Sequence, residues 1–331
     1  MSVDIKVSVI CASFNQEKYI RKALDGLVMQ KTDFPFEILV HDDASIDNTG
    51  NIIREYEEKY PDLIKAFIRE ENQFSQGKDI INQFLLPRTQ GELIALCEGD
   101  DFWTDPYKLQ KQYDAMMAHP ECSMVLHKVQ GISEDEKNKI RTFPDKSLPE
   151  GIIQSSDVIS RMLRYNEWIF HTTSYMIRKK NLLEAYEKQF DFYLHPMYGD
   201  QAAILLSAMY GNFYYIDSIM SCYRMGAIGS TVKKDKNQIQ RGKRCERQIR
   251  ALQSFDKESN GMFHEDIVFA LNRQKFILAE TRRDYRYMLQ KNMKIYFDEF
   301  PLNAKIHVWI SALFPVFDKV YYGLRKKIKG F

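Results

Sequence analysis

Apolar and polar positions separate along the first hundred residues into blocks of two kinds. Short runs that are apolar at nearly every position, residues 7–12, 36–40, 64–68 and 93–97, each end on a polar turn. From Glu17 to Met29 the apolar positions Ile20, Ala23, Leu24, Leu27 and Val28 recur at helical spacing. A second helix is predicted from Asp47 to Lys59, opening on cap-capable residues and stopping before Pro61. Strands that are apolar throughout, rather than alternating, are buried on both faces. Their succession with helices therefore predicts an α/β fold with a mostly parallel sheet flanked by helices.

Further along, the pattern predicts a helix over residues 103–118, a strand over 124–129 and an aperiodic, charged, proline-bearing loop over 133–151. A helix over 156–165, a strand over 172–177, a helix over 201–210 and a strand over 213–216 follow. Beyond about Thr231 the composition shifts to helices rich in Arg, Lys, Gln and aromatics. Residues 1–230 thus read as one domain and 231–331 as a helical C-terminal region.

Composition narrows the partners. The 47 Lys and Arg against 45 Asp and Glu leave a net charge of +2, so no global field favours nucleic acid. Five cysteines, odd in number and without CxxC or Cys/His spacing, hold no zinc or iron and lead to the expectation of a reduced, cytoplasmic setting. MSVDIKVSVI lacks the basic and apolar regions of a secretory leader. The longest apolar candidate, 308–317, is interrupted by Ser311 and Pro315 and falls short of a membrane span.

In open α/β sheets ligands bind beyond the carboxyl ends of the strands. That rule gathers Ser13 and Asn15, Asp42 and Asp43, and Asp100 and Asp101 on one rim. Glu98-Gly99-Asp100-Asp101 puts three mutually repelling carboxylates at a strand end, a conflict that Mg2+ or Mn2+ with oxygen ligands removes. The plainer alternative is an acidic turn capping the helix that starts near Pro106. Asp42-Asp43-Ala44-Ser45 is equally an N-cap signal or an acceptor for a base or ribose. The absence of GxGxxG and GxxxxGK[ST] removes support for dinucleotide oxidoreductases and P-loop enzymes.

In combination, VSVICASFNQEKYIRKALDGLVMQ, FEILVHDDASIDNT, Glu71-Asn72, GELIALCEGDDFWTDPYKLQKQ, YGDQ and YYIDSIMSCYR carry a resemblance over residues 5–230. The chain resembles the family 2 inverting glycosyltransferases of the GT-A (nucleotide-diphospho-sugar transferase, Rossmann-like) fold, in the bacterial branch that builds capsule, O-antigen and other surface polysaccharides. The resemblance implies a metal-dependent hexosyl- or N-acetylhexosaminyl-transferase that takes its sugar from a nucleotide-diphosphate donor, a UDP-sugar. The implied acceptor is a glycan or a polyprenyl-diphosphate-linked chain. By this likeness Ala12, Ser13 and Asn15 line the nucleotide, Asp42 and Asp43 contact base or ribose, Asp100 and Asp101 touch the ribose and hold Mn2+ or Mg2+, and Asp200 is the catalytic base. Two stretches depart from the family pattern. Tyr223-Arg224-Met225-Gly226 lacks the histidine many relatives carry there, and Gln76 to Asn82 replaces an Ala-Arg-Asn stretch.

Inverting transfer needs a base for the acceptor hydroxyl and stabilisation of the leaving diphosphate. Asp200 suits the first task, although an N-cap of its own helix is the competing role. Trp103 is expected either to wall the sugar pocket or to lie in the core. His171, Thr172 and Thr173 are candidates for the acceptor cleft. Trp309, Leu313, Phe314, Phe317, Val320, Tyr321 and Leu324 at near-helical spacing, before the basic Arg325, Lys326, Lys327 and Lys329, fit either an interfacial helix on the inner face of the plasma membrane or a helix packed on the first domain. The alternatives to transfer are a sugar-phosphate nucleotidyltransferase and an inactive scaffold of the same fold.

Overall fold

A computed structural model describes residues 4–146, 148–195, 198–227 and 238–317. The expectations placed on Val320, Tyr321 and Leu324 and on the basic tail from Arg325 lie outside the described residues. The chain divides into two compact units, residues 1–194 with 198–233, and residues 195–197 with 234–331.

The first unit is built on ten strands: β1 (Val7–Ser13), β2 (Phe36–Asp42), β3 (Ile64–Ile68), β4 (Leu93–Leu96), β5 (Phe102–Trp103), β6 (Cys122–Ser133), β7 (Lys139–Phe143), β8 (Gly151–Ile153), β9 (Met176–Arg178) and β10 (Asn212–Met225). Among the described residues seven α-helices accompany them: α1 (Ile20–Val28), α2 (Thr49–Lys59), α3 (Lys108–Ala118), α4 (Ser155–Leu163), α5 (Lys179–Glu187), α6 (Asp191–Leu194) and α7 (Gly199–Tyr210). All strands share one sheet of order β3-β2-β1-β4-β9-β6-β10-β5, with β7 on β6 and β8 on β10. The first four strands run parallel. β9 then lies antiparallel between β4 and β6, and β6 pairs in parallel with β10, so the sheet as a whole is mixed.

The apolar runs form strands for the expected reason. Val7, Val9, Cys11, Ile38, Val40, Leu93 and Ala95 join one core with Ile20, Ala23, Leu24 and Leu27 of α1 and with Ile52 and Ile53 of α2. Glu37 fastens the opposite end of these strands: its buried carboxylate accepts from Ser8 Oγ at 2.7 Å, Lys65 Nζ at 2.6 Å and the Gln90 amide at 2.6 Å.

Four expectations are corrected. Helix does not begin at Trp103, because Phe102 and Trp103 pair with Cys222 and Ser221 as β5 and helix starts only at Lys108. The predicted loop over 133–151 contains β7, an edge strand whose exposed Lys139, Ile140 and Arg141 conceal its pairing with β6. Residues 172–174 form a 3-10 turn, leaving only Met176–Arg178 as strand. The strand predicted over 213–216 extends to Met225 across register shifts near Ile219.

The second unit contains α8 (Gln238–Glu258), α9 (His264–Arg282), α10 (Tyr285–Met288), α11 (Lys294–Asp298) and α12 (Leu302–Leu313). Phe276, Met288, Met293, Tyr296, Phe297 and Val308 are among its buried residues. Among the described residues no helix is long and apolar enough to cross a membrane.

α1 lies so close to β5 that a Cβ on Gly26 would stand 2.7 Å from the Trp103 carbonyl oxygen and 2.8 Å from its amide nitrogen. Both atoms are backbone and cannot swing away. Gly26→Ala is therefore expected to destabilise the protein by about 1–3 kcal/mol through overpacking, outweighing a helix-propensity gain of about 1 kcal/mol. Urea unfolding checks this; an unchanged or raised midpoint contradicts it.

Candidate active site

Three loops leave the carboxyl ends of β1, β2 and β4. The first two are laced together: Ser13 Oγ donates to the His41 carbonyl at 2.9 Å, the Asn15 amide to Ser45 Oγ at 2.8 Å, the Gln16 amide to Thr49 Oγ1 at 2.8 Å, and the Ile46 amide to Asn15 Oδ1 at 2.9 Å. Asn15 and Ala44 take the left-handed conformation, with φ of 52° and 63°. For alanine that conformation is sparsely populated, and such strain gathers at functional sites. The third loop joins through the Gly99 amide, which donates to the Ala12 carbonyl at 3.0 Å.

Asp42 and Asp43 are both buried. Asp42 accepts from the Ser45 hydroxyl, and burial raises its pKa. Asp43 receives the amides of Gln73 and Phe74 at 2.8 and 3.0 Å, so one task of its carboxylate is to anchor the loop after β3.

The acidic turn is more confined. Asp101 is 1 % exposed; its Oδ1 accepts the Arg224 amide at 3.0 Å, while its buried Oδ2 has no hydrogen bond. Desolvation, then the charges of Asp100 and Glu98, push the Asp101 carboxyl well above the ordinary range. Asp100 is raised chiefly by desolvation, against hydrogen bonds that include the Gln16 side chain and against the Arg224 charge. Glu98 is raised to about 8 by desolvation and by Asp100 and Asp200, although its side chain keeps solvent access that screens those charges. Burial alone raises Asp200 to about 6. Asp200 lies in the first turn of α7 with Oδ1 accepting the Gln201 amide at 2.8 Å, whereas the N-cap is Tyr198. The electrostatic reach of Asp200 to Glu98, Tyr175 and Tyr223 puts it in the same site.

Asp101 Oδ2, His171 Nδ1 and Glu98 also belong together. Nδ1 lies 3.5 Å from Oδ2, and among the described residues Glu98, Asp101 and His171 offer ligand atoms all within 4.8 Å of one another. An orphaned anionic oxygen, buried among other carboxylates, fits a divalent cation.

For two candidates the structure favours a buried role. Trp103 is 2 % exposed in the core with Lys108 Nζ 3.8 Å from its ring centroid, so it does not wall a sugar pocket. Thr173 is fully buried and turns its hydroxyl toward Cys97 Sγ at 3.8 Å; Thr172 is half-buried at the start of the 3-10 turn.

Sequence reasoning left Arg224 unassigned. Besides its amide bond to Asp101, its Nε donates to the Asp100 carbonyl at 3.0 Å and its Nη1 to the Glu134 carbonyl at 3.1 Å and to Glu136 at 2.8 Å. Its guanidinium also faces the Tyr19 ring at 4.7 Å. The Tyr223-Arg224 pair was visible, but only the long β10 brings it onto the acidic turn.

The model of the family described as "Glycosyl transferase family 2" matches residues 8–185. An uncharacterised protein of Mycobacterium tuberculosis is 34 % identical over 226 residues, which are 67 % of this chain and 60 % of that relative's length. An uncharacterised glycosyltransferase of Nostoc is 26 % identical over 226 residues, 67 % of this chain and 65 % of its own. The crystal structure of Staphylococcus aureus TarS residues 1–349 in complex with UDP-GlcNAc superposes with a TM-score of 0.58 at 20 % identity, covering 93 % of this chain and 80 % of that one, a likeness of fold.

The raised carboxyl pKa values set a pH dependence of stability. A carboxyl near 4 when unfolded and about 6 in the fold, as for Asp200, binds more protons folded than unfolded across that interval. Stability therefore falls as pH rises through it, and Asp101, shifted the same way, extends the fall upward. Because buried His41, His127 and His171 are shifted down and act in the opposite sense, the carboxyl contribution is read as a difference: without added metal the melting temperature of the wild type relative to Asp101→Asn is expected to fall from pH 4.5 to 7.5, and added Mn2+ to restore more of it at pH 7.5 than at 4.5. Thermal unfolding of the two proteins checks this; an identical slope contradicts the assignment.

Proposed function

Because the chain belongs to glycosyl transferase family 2, we propose that it transfers a hexosyl or N-acetylhexosaminyl group, with inversion, from a UDP-sugar to a glycan or polyprenyl-diphosphate-linked acceptor in bacterial surface-polysaccharide synthesis. The observation that carries this reading is the unpartnered, buried Oδ2 of Asp101 within a carboxylate cluster that also feels Asp200. Donor recognition is assigned to the laced loops of Ala12, Ser13, Asn15, Asp42 and Asp43, with Asp100 toward the ribose. Mn2+ or Mg2+ at Asp101, with Asp100 beside it, supplies positive charge against the leaving diphosphate when bound. Arg224 keeps that turn in place through the Asp100 carbonyl and Asp101 Oδ1.

The step is one in-line displacement. The acceptor hydroxyl oxygen bonds to the anomeric carbon as the bond from that carbon to the diphosphate oxygen breaks, and the bonding pair leaves with UDP. The hydroxyl proton passes to Asp200, which burial tunes toward neutral pH without neighbouring charge among its causes. His171 and Thr172 border the acceptor side in this reading.

A peripheral place on the inner face of a plasma membrane is supported by α12. Trp309, Leu313 and Phe314 are 52, 66 and 65 % exposed, with Leu302 and Ile306 on neighbouring turns, and the basic tail follows in sequence. An exposed aromatic and aliphatic face beside cations suits anionic lipid.

Two outcomes are expected. Incubated with Mn2+ and UDP-sugars, the protein should release UDP; Asp200→Asn should lower kcat by roughly 10²–10⁴-fold while donor-induced thermal stabilisation persists. The wild-type kcat/KM should fall with pH through about 6, where Asp200 takes up its proton. Pyrophosphate in place of UDP would favour nucleotidyl transfer, and no turnover would favour a scaffold. Separately, the double substitution Leu313→Glu, Phe314→Glu should abolish sedimentation with phosphatidylglycerol vesicles without changing the melting temperature; undiminished sedimentation rules out this face.

A further inference from the structure

His171 is held in an arrangement that acceptor contact does not require. Its ring stacks on Tyr223, centroids 3.8 Å apart and planes 26° from parallel, and Phe143 approaches from 5.9 Å. Nδ1 accepts the Thr173 amide at 3.4 Å and stands 3.5 Å from Asp101 Oδ2, the buried oxygen with no hydrogen bond. The long Thr173 contact is one a metal at Nδ1 would replace. Two acceptors facing each other out of water repel unless a cation or a shared proton lies between them. Glu98 closes the third side, all three ligand atoms lying within 4.8 Å of one another. An ion with ligands at about 2.1 Å places opposed donors roughly 4.2 Å apart, so slight side-chain movement brings this set onto one metal.

We propose that His171 is a direct nitrogen ligand of the divalent cation, together with Asp101 and Glu98. This rests on the reading that a cation serves the donor diphosphate, and it revises the ligand set from the Asp100–Asp101 pair to one drawn from two separate stretches of chain. Asp100 instead meets the Gln16 side chain and carries the carbonyl that Arg224 holds. The Tyr223 stack restrains the plane of the imidazole. A nitrogen donor also tilts the site toward Mn2+, since Mg2+ keeps to oxygen.

The full-length protein carrying 15N-labelled histidine is loaded with MnCl2 and UDP and examined by pulsed electron paramagnetic resonance. Phosphorus coupling from UDP locates the ion at the donor site, and 15N coupling of the strength of a directly bound imidazole is expected with it. In His171→Asn the nitrogen coupling should vanish and Mn2+ binding weaken at least about 10-fold, with the preference over Mg2+ narrowed. The wild-type spectrum decides the matter even if the variant does not fold. Phosphorus coupling without histidine coupling overturns the assignment of His171 and leaves the cation reading standing. No Mn2+ binding, with or without UDP, overturns both and makes the shared element between His171 and Asp101 a proton.

Discussion

The concentration of negative charge after β4 is the constraint around which the first unit is arranged. Glu98, Asp100 and Asp101 fall within four residues, and Asp101 is buried. One buried cation side chain, Arg224, answers them from β10, more than a hundred residues away, reaching the Asp100 carbonyl through Nε while its own amide reaches Asp101. Yet Arg224 cannot neutralise the turn alone, since it also bonds Glu136. The Asp101 Oδ2 is left without a partner. The fold holds the carboxylates together, and incomplete compensation makes the place receptive to an added cation.

The neighbouring loops meet a different demand. Ends of parallel strands leave backbone donors and acceptors that must be satisfied, and here the first two loops satisfy one another through Ser13, Asn15, Ser45 and Thr49. The left-handed backbone at Ala44 is the cost of that fit. Side chains that looked free for a nucleotide in the sequence are in part the fasteners of the cradle, so recognition by these loops depends on shape as well as on free polar groups. Asp43 illustrates this, with the Gln73 and Phe74 amides on its carboxylate.

The parallel half of the sheet was legible because burial on both faces leaves a nearly unbroken apolar run, as in Val7 to Cys11, and because polar residues collect where such runs end. Long-range pairing was not legible. Phe102 and Trp103 become β5 only through Ser221 and Cys222, β7 pairs despite an exposed, charged sequence, and Arg224 meets the acidic turn only through the length of β10. Trp103 stayed open between pocket wall and core for a related reason: nearness in sequence to the carboxylates gave no indication that α1, permitted by Gly26, covers the backbone of β5. His171 was noticed as a polar residue before a strand, but its juxtaposition with Asp101 arises from β9 running antiparallel beside β4, which apolar periodicity does not reveal.

Two carboxyls in one site, displaced for different reasons, also suggest how the proposed tasks are divided. Asp200 is raised by burial, with no neighbouring charge among the causes, and comes to about 6, where a carboxylate is ionised at neutral pH yet basic enough to take a proton from a hydroxyl as it becomes acidic in the transition state. Asp101 is raised by burial and also by the charges of Asp100 and Glu98. A cation relieves that second contribution directly, whereas it cannot remove the desolvation that tunes Asp200. In the proposed reading a bound cation would ionise Asp101, its ligand, and would act on Asp200 only through the charge it presents across the site. The separation of roles follows from the different origins of the two shifts.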